Sequence, residues 1–301
     1  MCLLPLFRKT DGKLDKRHSL FSRWVLKRIA VKTLRSADAG KKPREIFAKG
    51  ISGAFPDPAD GPDVILAACN DTYFNLFAIS LIKSIERLGK TQPLHIHLLE
   101  PSDEVVQRAR ALQRDLKFVT LTFTIDRCLL ADKLSHKQIY YTAARFLLAP
   151  LILERGVKRL LIVDVDAVMN MLPWRLFGCD SATTSGGFIF RRGMRRPWYR
   201  VLASAVFFNG SKGSLRLSET LASSLAAALA YNPKYHIDQI LPYYLCSFAP
   251  RYLPDFSVID IPDKLMGYDY EPDSAFWTVK GKSNISRFLA EKEKLIDLDV
   301  G

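Results

Sequence analysis

The 301-residue sequence lacks a long apolar run, a Cys-x-x-Cys pair and a glycine-rich dinucleotide motif. No apolar stretch approaches the ~18 residues of a membrane span. The five cysteines are odd in number and widely spaced, so we expect reduced thiols in a cytoplasmic protein. The apolar opening Met1–Phe7 has no basic region before it, which argues against a signal peptide. No Gly-x-Gly-x-x-Gly follows the first apolar run, and this disfavours a dinucleotide dehydrogenase.

Acidic residues are scarce only at the beginning of the chain. Residues 1–50 hold 14 Lys or Arg and 4 Asp or Glu, whereas residues 51–301 hold 30 and 27. The formal charge of +13 therefore comes mainly from the first fifty residues. A nucleic-acid-binding body would carry its basic excess throughout or on a patch. We expect no nucleic acid partner.

The basic first part, residues 1–62, is predicted to form an arm and a linker. Residues 13–35 contain no Gly or Pro, and at ~100° per residue Leu20 and Trp24 share one face that Phe21 extends. This pattern predicts a basic helix that lies on anionic lipid, peripheral on the inner face of a membrane. The alternatives are a helix packed on the body and a solvated arm. Residues 37–62 are dense in Gly and Pro, which predicts a linker.

From residue 63 onwards, strand and helix patterns alternate. The strands are predicted at 64–69, 94–99, 118–123 and 159–163, and the helices at 73–88, 103–116 and 138–153. This succession predicts an α/β fold with a mostly parallel sheet covered by helices on both faces. The later half is more irregular and mixed, with strands predicted at 186–191 and 203–208 and helices at 217–230 and 236–245.

The sharpest candidate for chemistry is Asp164-Val165-Asp166, directly after the apolar run Arg159–Val163. Ligands of open α/β sheets bind at the carboxyl ends of the strands. Two carboxylates one residue apart can hold a divalent cation, and that cation can bridge a diphosphate. The alternative is a pair of solvated loop aspartates.

Five stretches in order resemble the motifs of one enzyme family. They are CNDTYF after the first strand, the helix IYYTAARFLLAPLILERG, the DVD after RLLIV, YHIDQ, and the late segment FWTVKGK. Together they resemble the GT-A-fold glycosyltransferases, particularly the family-8-like retaining enzymes. The resemblance covers about residues 63–290 and leaves 291–301 as a tail.

The resemblance implies a metal-assisted hexosyltransferase that moves a sugar from a UDP-sugar or other nucleotide-sugar donor to a glycan or glycolipid acceptor, with retention, in surface polysaccharide biosynthesis. It implies Mn²⁺ or Mg²⁺ on Asp164 and Asp166. It implies catalytic roles for Asp238 and Gln239, beside the donor sugar. It also implies nucleotide binding by a larger set: Asn70, Asp71, Tyr73, Arg145, Lys280, Gly281 and Lys282.

Each of these residues has a second interpretation. Asn70 or Asp71 suits a helix N-cap as well as a base or ribose contact, and Asp238 suits a cap at the start of its helix. Arg145 can pair with a phosphate bidentately, or it can be a surface arginine beside a core face. Residues 280–282 form a compact anion site or an ordinary surface turn.

Two features depart from the family pattern. The late segment of the family carries a histidine as third metal ligand, and no histidine stands near Gly281 here. The metal would therefore rest on two aspartates, the diphosphate and water. Residues 203–206 (ASAV) stand where the family has an Asn-x-Gly strand. A glycosyltransferase fold without activity, acting as a membrane adaptor, follows as one alternative.

A phosphohydrolase of the haloacid-dehalogenase type is the other alternative. LLIVDVDAV matches the signature in which the first aspartate is a phosphoryl nucleophile. That family places its motif on an early strand and needs a later acidic pair for Mg²⁺. Asp260 and Asp263 are the candidates for this pair.

Overall fold

The computed structural model describes residues 17–36, 38–178, 183–267, 271–278, 286 and 289–290. The helices are α1 (Leu20–Arg35), α2 (Lys41–Lys49), α3 (Asp71–Tyr73), α4 (Ile79–Glu86), α5 (Asp103–Asp115), α6 (Gln138–Leu153), α7 (Lys212–Leu229) and α8 (Ile237–Phe248). A single wide π turn, Phe74–Ala78, joins α3 to α4. The strands are β1 (Ile51–Gly53), β2 (Asp63–Cys69), β3 (Gln92–Leu99), β4 (Val119–Asp126), β5 (Arg159–Val163), β6 (Ala167–Met169), β7 (Gly186–Phe190), β8 (Val201–Phe208), β9 (Val258–Asp260), β10 (Met266–Gly267) and β11 (Phe276–Thr278).

Within these described residues, eight strands form one sheet in the order β1-β4-β3-β2-β5-β8-β7-β9. The strands β4, β3, β2 and β5 are parallel neighbours, whereas β8 runs antiparallel to both β5 and β7. A small second sheet contains β10, β11 and β6. The predicted α/β fold with a mostly parallel centre and a mixed later half is confirmed.

The central strand β2 is apolar along nearly its whole length because helices cover both faces of the sheet. Along β2, Val64 and Leu66 face the core beneath α6 and α7, and Ile65 and Ala67 face the core beneath α4 and α5. All four side chains are fully buried. A central strand buried on both faces has no polar side, which is why its sequence shows a continuous apolar run.

The predicted linker is wrong, because residues 38–62 contain α2 and β1. Gly40 begins α2 in the left-handed conformation, and a Cβ there would lie 2.6 Å from the Ser223 carbonyl oxygen. Phe47 of α2 is buried in the core. β1 pairs with β4 and extends the large sheet. The Gly and Pro residues therefore mark caps and turns rather than a flexible chain.

The basic helix α1 packs on the body. It begins at Leu20, where the Ser19 hydroxyl accepts a hydrogen bond from the Ser22 N–H, and its buried side chains Leu26 and Leu34 join the core beside α7 and α8. The alternative of a packed helix is confirmed, and no boundary separates α1 from the body. Residues 13–16, the first part of the predicted helix, lie outside the described residues, as does the predicted tail 291–301. No helix in the described part of the chain is long and apolar enough to cross a bilayer.

Candidate functional site

The parallel strands β2, β3 and β5 end at the same edge of the sheet, and a cleft of about 520 Å³ opens there. Clefts at this edge are where open α/β sheets bind ligands. Five of the residues singled out from the sequence line it together: Asn70, Tyr73, Arg145, Asp164 and Asp166. They lie up to 96 positions apart, and the topology of the sheet brings them together.

The two aspartates occupy a short connection that is anchored on both sides. The Asp164 N–H donates to the Ser204 carbonyl oxygen of β8 at 3.0 Å. After Asp166 the chain enters β6, which pairs with β11, and the Thr278 hydroxyl donates to the Asp166 carbonyl oxygen at 3.2 Å. The backbone that carries both carboxylates is therefore held in place before any ligand binds.

Arg145 lies beneath this connection with its guanidinium buried. It forms an ion pair with the Asp164 carboxylate, and its Nη2 donates to the Ala203 carbonyl oxygen at 2.8 Å. Its Nη1 also donates to the Val163 carbonyl oxygen at 3.4 Å. The surface-arginine alternative is wrong, since Arg145 joins α6 to the ends of β5 and β8. Its role as a phosphate ligand stays a prediction.

Three carboxylates share this one buried cation. Burial raises the pKa of Asp166 to about 7, with a further contribution from the nearby Asp164 charge. Burial also raises the pKa of Asp238 to about 7, again reinforced by Asp164 and opposed by Arg145. Above neutral pH the cluster therefore carries more negative charge than Arg145 balances.

These residues fit a hard divalent cation. Carboxylate oxygens are the ligands that Mg²⁺ and Mn²⁺ take, and the two positive charges of such an ion would offset the two negative charges that Arg145 leaves unbalanced when all three carboxyls are ionised. The Asp238 Oδ1 is buried without a hydrogen-bond partner within the described residues. In the described part of the chain, no three His, Cys, Asp or Glu side chains are placed so that they could hold one metal ion together. A metal here would take its remaining ligands from the substrate and water.

The turn after β2 serves structure and site at once. The Asn70 Oδ1 accepts from the Tyr73 N–H at 3.1 Å and caps α3, which confirms the cap alternative for Asn70. Both oxygens of Asp71 accept from the Ser102 N–H at 3.1 Å, so Asp71 ties this turn to the end of β3. Tyr73 is half exposed in the cleft. The pKa of its hydroxyl is raised, mainly by partial burial and further by the negative charges of Asp166 and Asp164.

Asp238 and Gln239 begin α8, next to the arginine. The residue that caps α8 is His236, in the left-handed conformation, so the cap alternative for Asp238 is wrong. Asp238 instead lies buried within the electrostatic reach of Arg145. The Gln239 amide satisfies all its neighbours when its nitrogen donates to the Trp198 and Val201 carbonyl oxygens at 3.0 and 3.2 Å and its oxygen accepts from His236 Nδ1 at 2.9 Å.

Lys280, Gly281 and Lys282 lie outside the described residues, so their predicted anion site stays a prediction. Five further polar residues line the cleft that the sequence did not single out as site residues: Gln138, Tyr141, Thr142, Thr72 and Tyr235. The first three are spaced three or four residues from one another or from Arg145, which places them on the same face of α6 as Arg145. This spacing is the feature of the sequence from which they could have been predicted.

The acidic pair needed by the phosphohydrolase alternative does not reach the site. Asp260 lies in β9, which is separated from β5 by β8 and β7, about 14 Å away at ~4.8 Å per strand. The Asp260 carboxylate there accepts from the Phe190 N–H at 3.1 Å. The structure contradicts this alternative.

Comparison with solved structures places the fold among glycosyltransferases. The chain superposes on an active-site mutant of LgtC with a TM-score of 0.52, at 13% identity over 77% of this chain and 95% of that one. The galactosyltransferase LgtC in complex with donor and acceptor sugar analogues gives a TM-score of 0.50 at 14% identity over the same shares. The bifunctional glycosyltransferase WbbM gives 0.51 at 14% identity over 80% of this chain.

This chain spans 46% of the length of WbbM, whereas it matches nearly all of LgtC. No protein-family profile and no curated protein sequence matches the chain. At these identities the likeness establishes the fold, and the GT-A architecture expected from the sequence is confirmed.

Proposed function

We propose that this protein is a glycosyltransferase that uses a nucleotide-sugar donor. One observation carries the proposal: an Asp-x-Asp connection, Asp164 to Asp166, stands at the carboxyl edge of the parallel strands and faces a cleft of about 520 Å³ within a GT-A architecture. Carboxylates outnumber guanidinium groups there. The site therefore suits a diphosphate that binds together with a divalent cation better than a diphosphate alone.

Within this proposal, Asp164 and Asp166 hold Mn²⁺ or Mg²⁺, which offsets the charge that develops on the departing nucleoside diphosphate. Arg145 orients the Asp164 carboxylate. Asn70 and Tyr73 line the part of the cleft that follows β2, where they would contact the base or ribose. Asp238 would accept hydrogen bonds from hydroxyls of the donor sugar, with UDP-hexoses as the expected donors.

The acceptor in this proposal is a glycan or glycolipid, and the transfer retains the anomeric configuration. Both statements rest on the family resemblance of the five motifs. LgtC, which shares the fold, has been seen with donor and acceptor sugar analogues, and Tyr141 and Tyr235 line the present cleft.

The test is the release of nucleoside diphosphate from a panel of nucleotide sugars, in buffer with Mn²⁺, with Mg²⁺ or with a chelator. We expect slow metal-dependent hydrolysis of at least one donor and its loss, by at least about a hundredfold, in Asp166→Asn. Asp115→Asn, at an exposed position of α5, is the matched control and should retain full activity. Binding of no donor by a folded protein would support the inactive adaptor instead.

A further inference from the structure

Two surface features that are far apart in the sequence lie side by side next to the cleft. One is the beginning of α1 and the other is the loop between β7 and β8. The His18 ring lies 5.5 Å from the ring of Trp198, a residue near the end of that loop. The Nε2 of His18 lies 2.8 Å from the carbonyl oxygen of Tyr235, a residue that lines the cleft. His18 therefore joins both features to the edge of the candidate site.

The outward face of α1 begins with three large apolar side chains. Leu20, Phe21 and Trp24 are 77%, 57% and 49% exposed. The rings of Phe21 and Trp24 stack with centroids 5.8 Å apart, and the Arg28 guanidinium lies 4.8 Å from the Trp24 ring. The opposite face of the helix packs into the core. Leu20, Phe21 and Trp24 therefore point away from the core and lie on the surface.

Positive charge surrounds this apolar end. The helix α1 holds five Lys or Arg and no Asp or Glu. The loop between β7 and β8 reads RRGMRR over residues 191–196, and its residues Arg192, Arg195 and Arg196 are exposed. The sequence analysis assigned the basic excess to the N-terminal region alone, and only the fold adds this arginine loop to it.

We propose that these six residues, Leu20, Phe21, Trp24, Arg192, Arg195 and Arg196, form one docking surface for a bilayer that contains anionic phospholipids. Apolar rings flanked by cations match the interface of such a bilayer, where rings enter the acyl boundary and cations meet lipid phosphates. Basic residues near an anionic surface are attracted to it, so the arginine loop would add to the binding that the apolar rings provide.

The position of this docking surface also indicates a substrate class, and this step rests on the proposed function. Because His18 and Tyr235 connect the docking surface to the cleft, docking would bring the cleft close to the lipid headgroups. An acceptor built on a membrane lipid would then reach the donor without leaving the bilayer. We infer that the acceptor is a lipid-linked glycan rather than a free oligosaccharide.

The experiment is flotation of the full chain with vesicles of neutral phosphatidylcholine, or of phosphatidylcholine mixed with phosphatidylglycerol, without any nucleotide sugar. We expect binding to the mixed vesicles that weakens with salt. Phe21→Ser/Trp24→Ser and Arg195→Glu/Arg196→Glu should each weaken it at least about tenfold. Arg110→Glu/Arg114→Glu, exposed on α5 at the other face of the sheet, is the charge-matched control and should bind within about twofold.

Lipids brominated on their acyl chains add a direct readout. We expect them to quench the wild-type tryptophan fluorescence and to leave Trp24→Phe nearly unquenched while it still floats. Equal binding to neutral vesicles, unchanged binding of both variant pairs, quenching that persists in Trp24→Phe, or equally tight binding of a soluble polyanion would each overturn the proposal. Since donor hydrolysis is measured without vesicles, failure of the proposed function is seen separately.

Discussion

Arg145, buried beneath the floor of the cleft, forms an ion pair with Asp164, which lines the cleft, and its guanidinium also donates to the Ala203 carbonyl oxygen of β8. The carboxylate that is expected to hold a metal is thus oriented by a cation from a different element, α6. This contact also explains why Arg145 is tolerated in a helix whose other neighbours are almost all buried and apolar.

The pair should couple strongly in stability. Arg145→Met removes a buried cation, leaves the partly exposed Asp164 beside two further carboxylates and takes the donor from the Ala203 carbonyl oxygen, so we expect a loss of about 1–3 kcal/mol in the free energy of unfolding. In Arg145→Met/Asp164→Asn the neutral amide needs no counter-charge. The free energy of unfolding of the double variant should therefore be at least about 1 kcal/mol higher than that of Arg145→Met. Denaturant unfolding of the two single variants and the double variant measures this. Additive losses would show that the pair does not act as a unit.

Asp238 makes stability depend on pH. Its pKa is about 7 in the folded protein against an ordinary value of 3.8, so the folded state binds more protons between these values. The free energy of unfolding then falls as pH rises from about 4 to about 7, by up to about 4 kcal/mol. Because the pKa of Asp166 is raised to a similar value, Asp238→Asn should lessen this decline without abolishing it, and Asp115→Asn should leave it unchanged. Thermal melts from pH 4 to 8 that run parallel in wild type and Asp238→Asn would contradict this assignment.

Divalent cations should stabilise the protein in a pH-dependent way. Because burial raises the pKa of Asp166 to about 7, its carboxyl is ionised, and so able to bind a metal, mainly above that pH. We expect Mn²⁺ to raise the melting temperature more at pH 8 than at pH 6, and to have no effect on Asp166→Asn. A metal-induced shift that is the same in both proteins would place the metal elsewhere.

Gln239 should contribute to stability as well as to turnover. Its amide bonds the Trp198 and Val201 carbonyl oxygens and His236, so Gln239→Ala removes these three hydrogen bonds. We expect a loss of about 1–3 kcal/mol. The resemblance instead implies a side chain beside the donor sugar, which predicts a lower kcat at unchanged stability. Melts run beside single-turnover assays distinguish the two roles.

The alternation of strands and helices could be predicted from the sequence because it is a local property. The period of apolar residues identifies β2 to β5 and α5 to α6 within a few residues, and a parallel order of strands follows from the crossover helices between them. The position of Asp164 and Asp166 at the edge of the sheet follows in turn, since a carboxylate directly after a strand must lie where that strand ends.

What the tertiary structure alone decided is which side chains meet across the fold. The sequence cannot show that Arg145 is buried against Asp164 and Ala203, or that His18 contacts Tyr235, 217 positions away. The same holds for residues 38–62. Their glycines and prolines indicate a linker, and only the structure shows that Phe47 is buried in the core. Local patterns report propensity, whereas burial depends on partners that only the packed chain brings together. For this protein the sequence predicted that Asp164 and Asp166 lie at the edge of the sheet. The charge balance of the cleft and the composition of its neighbouring surface could be determined only from the tertiary structure.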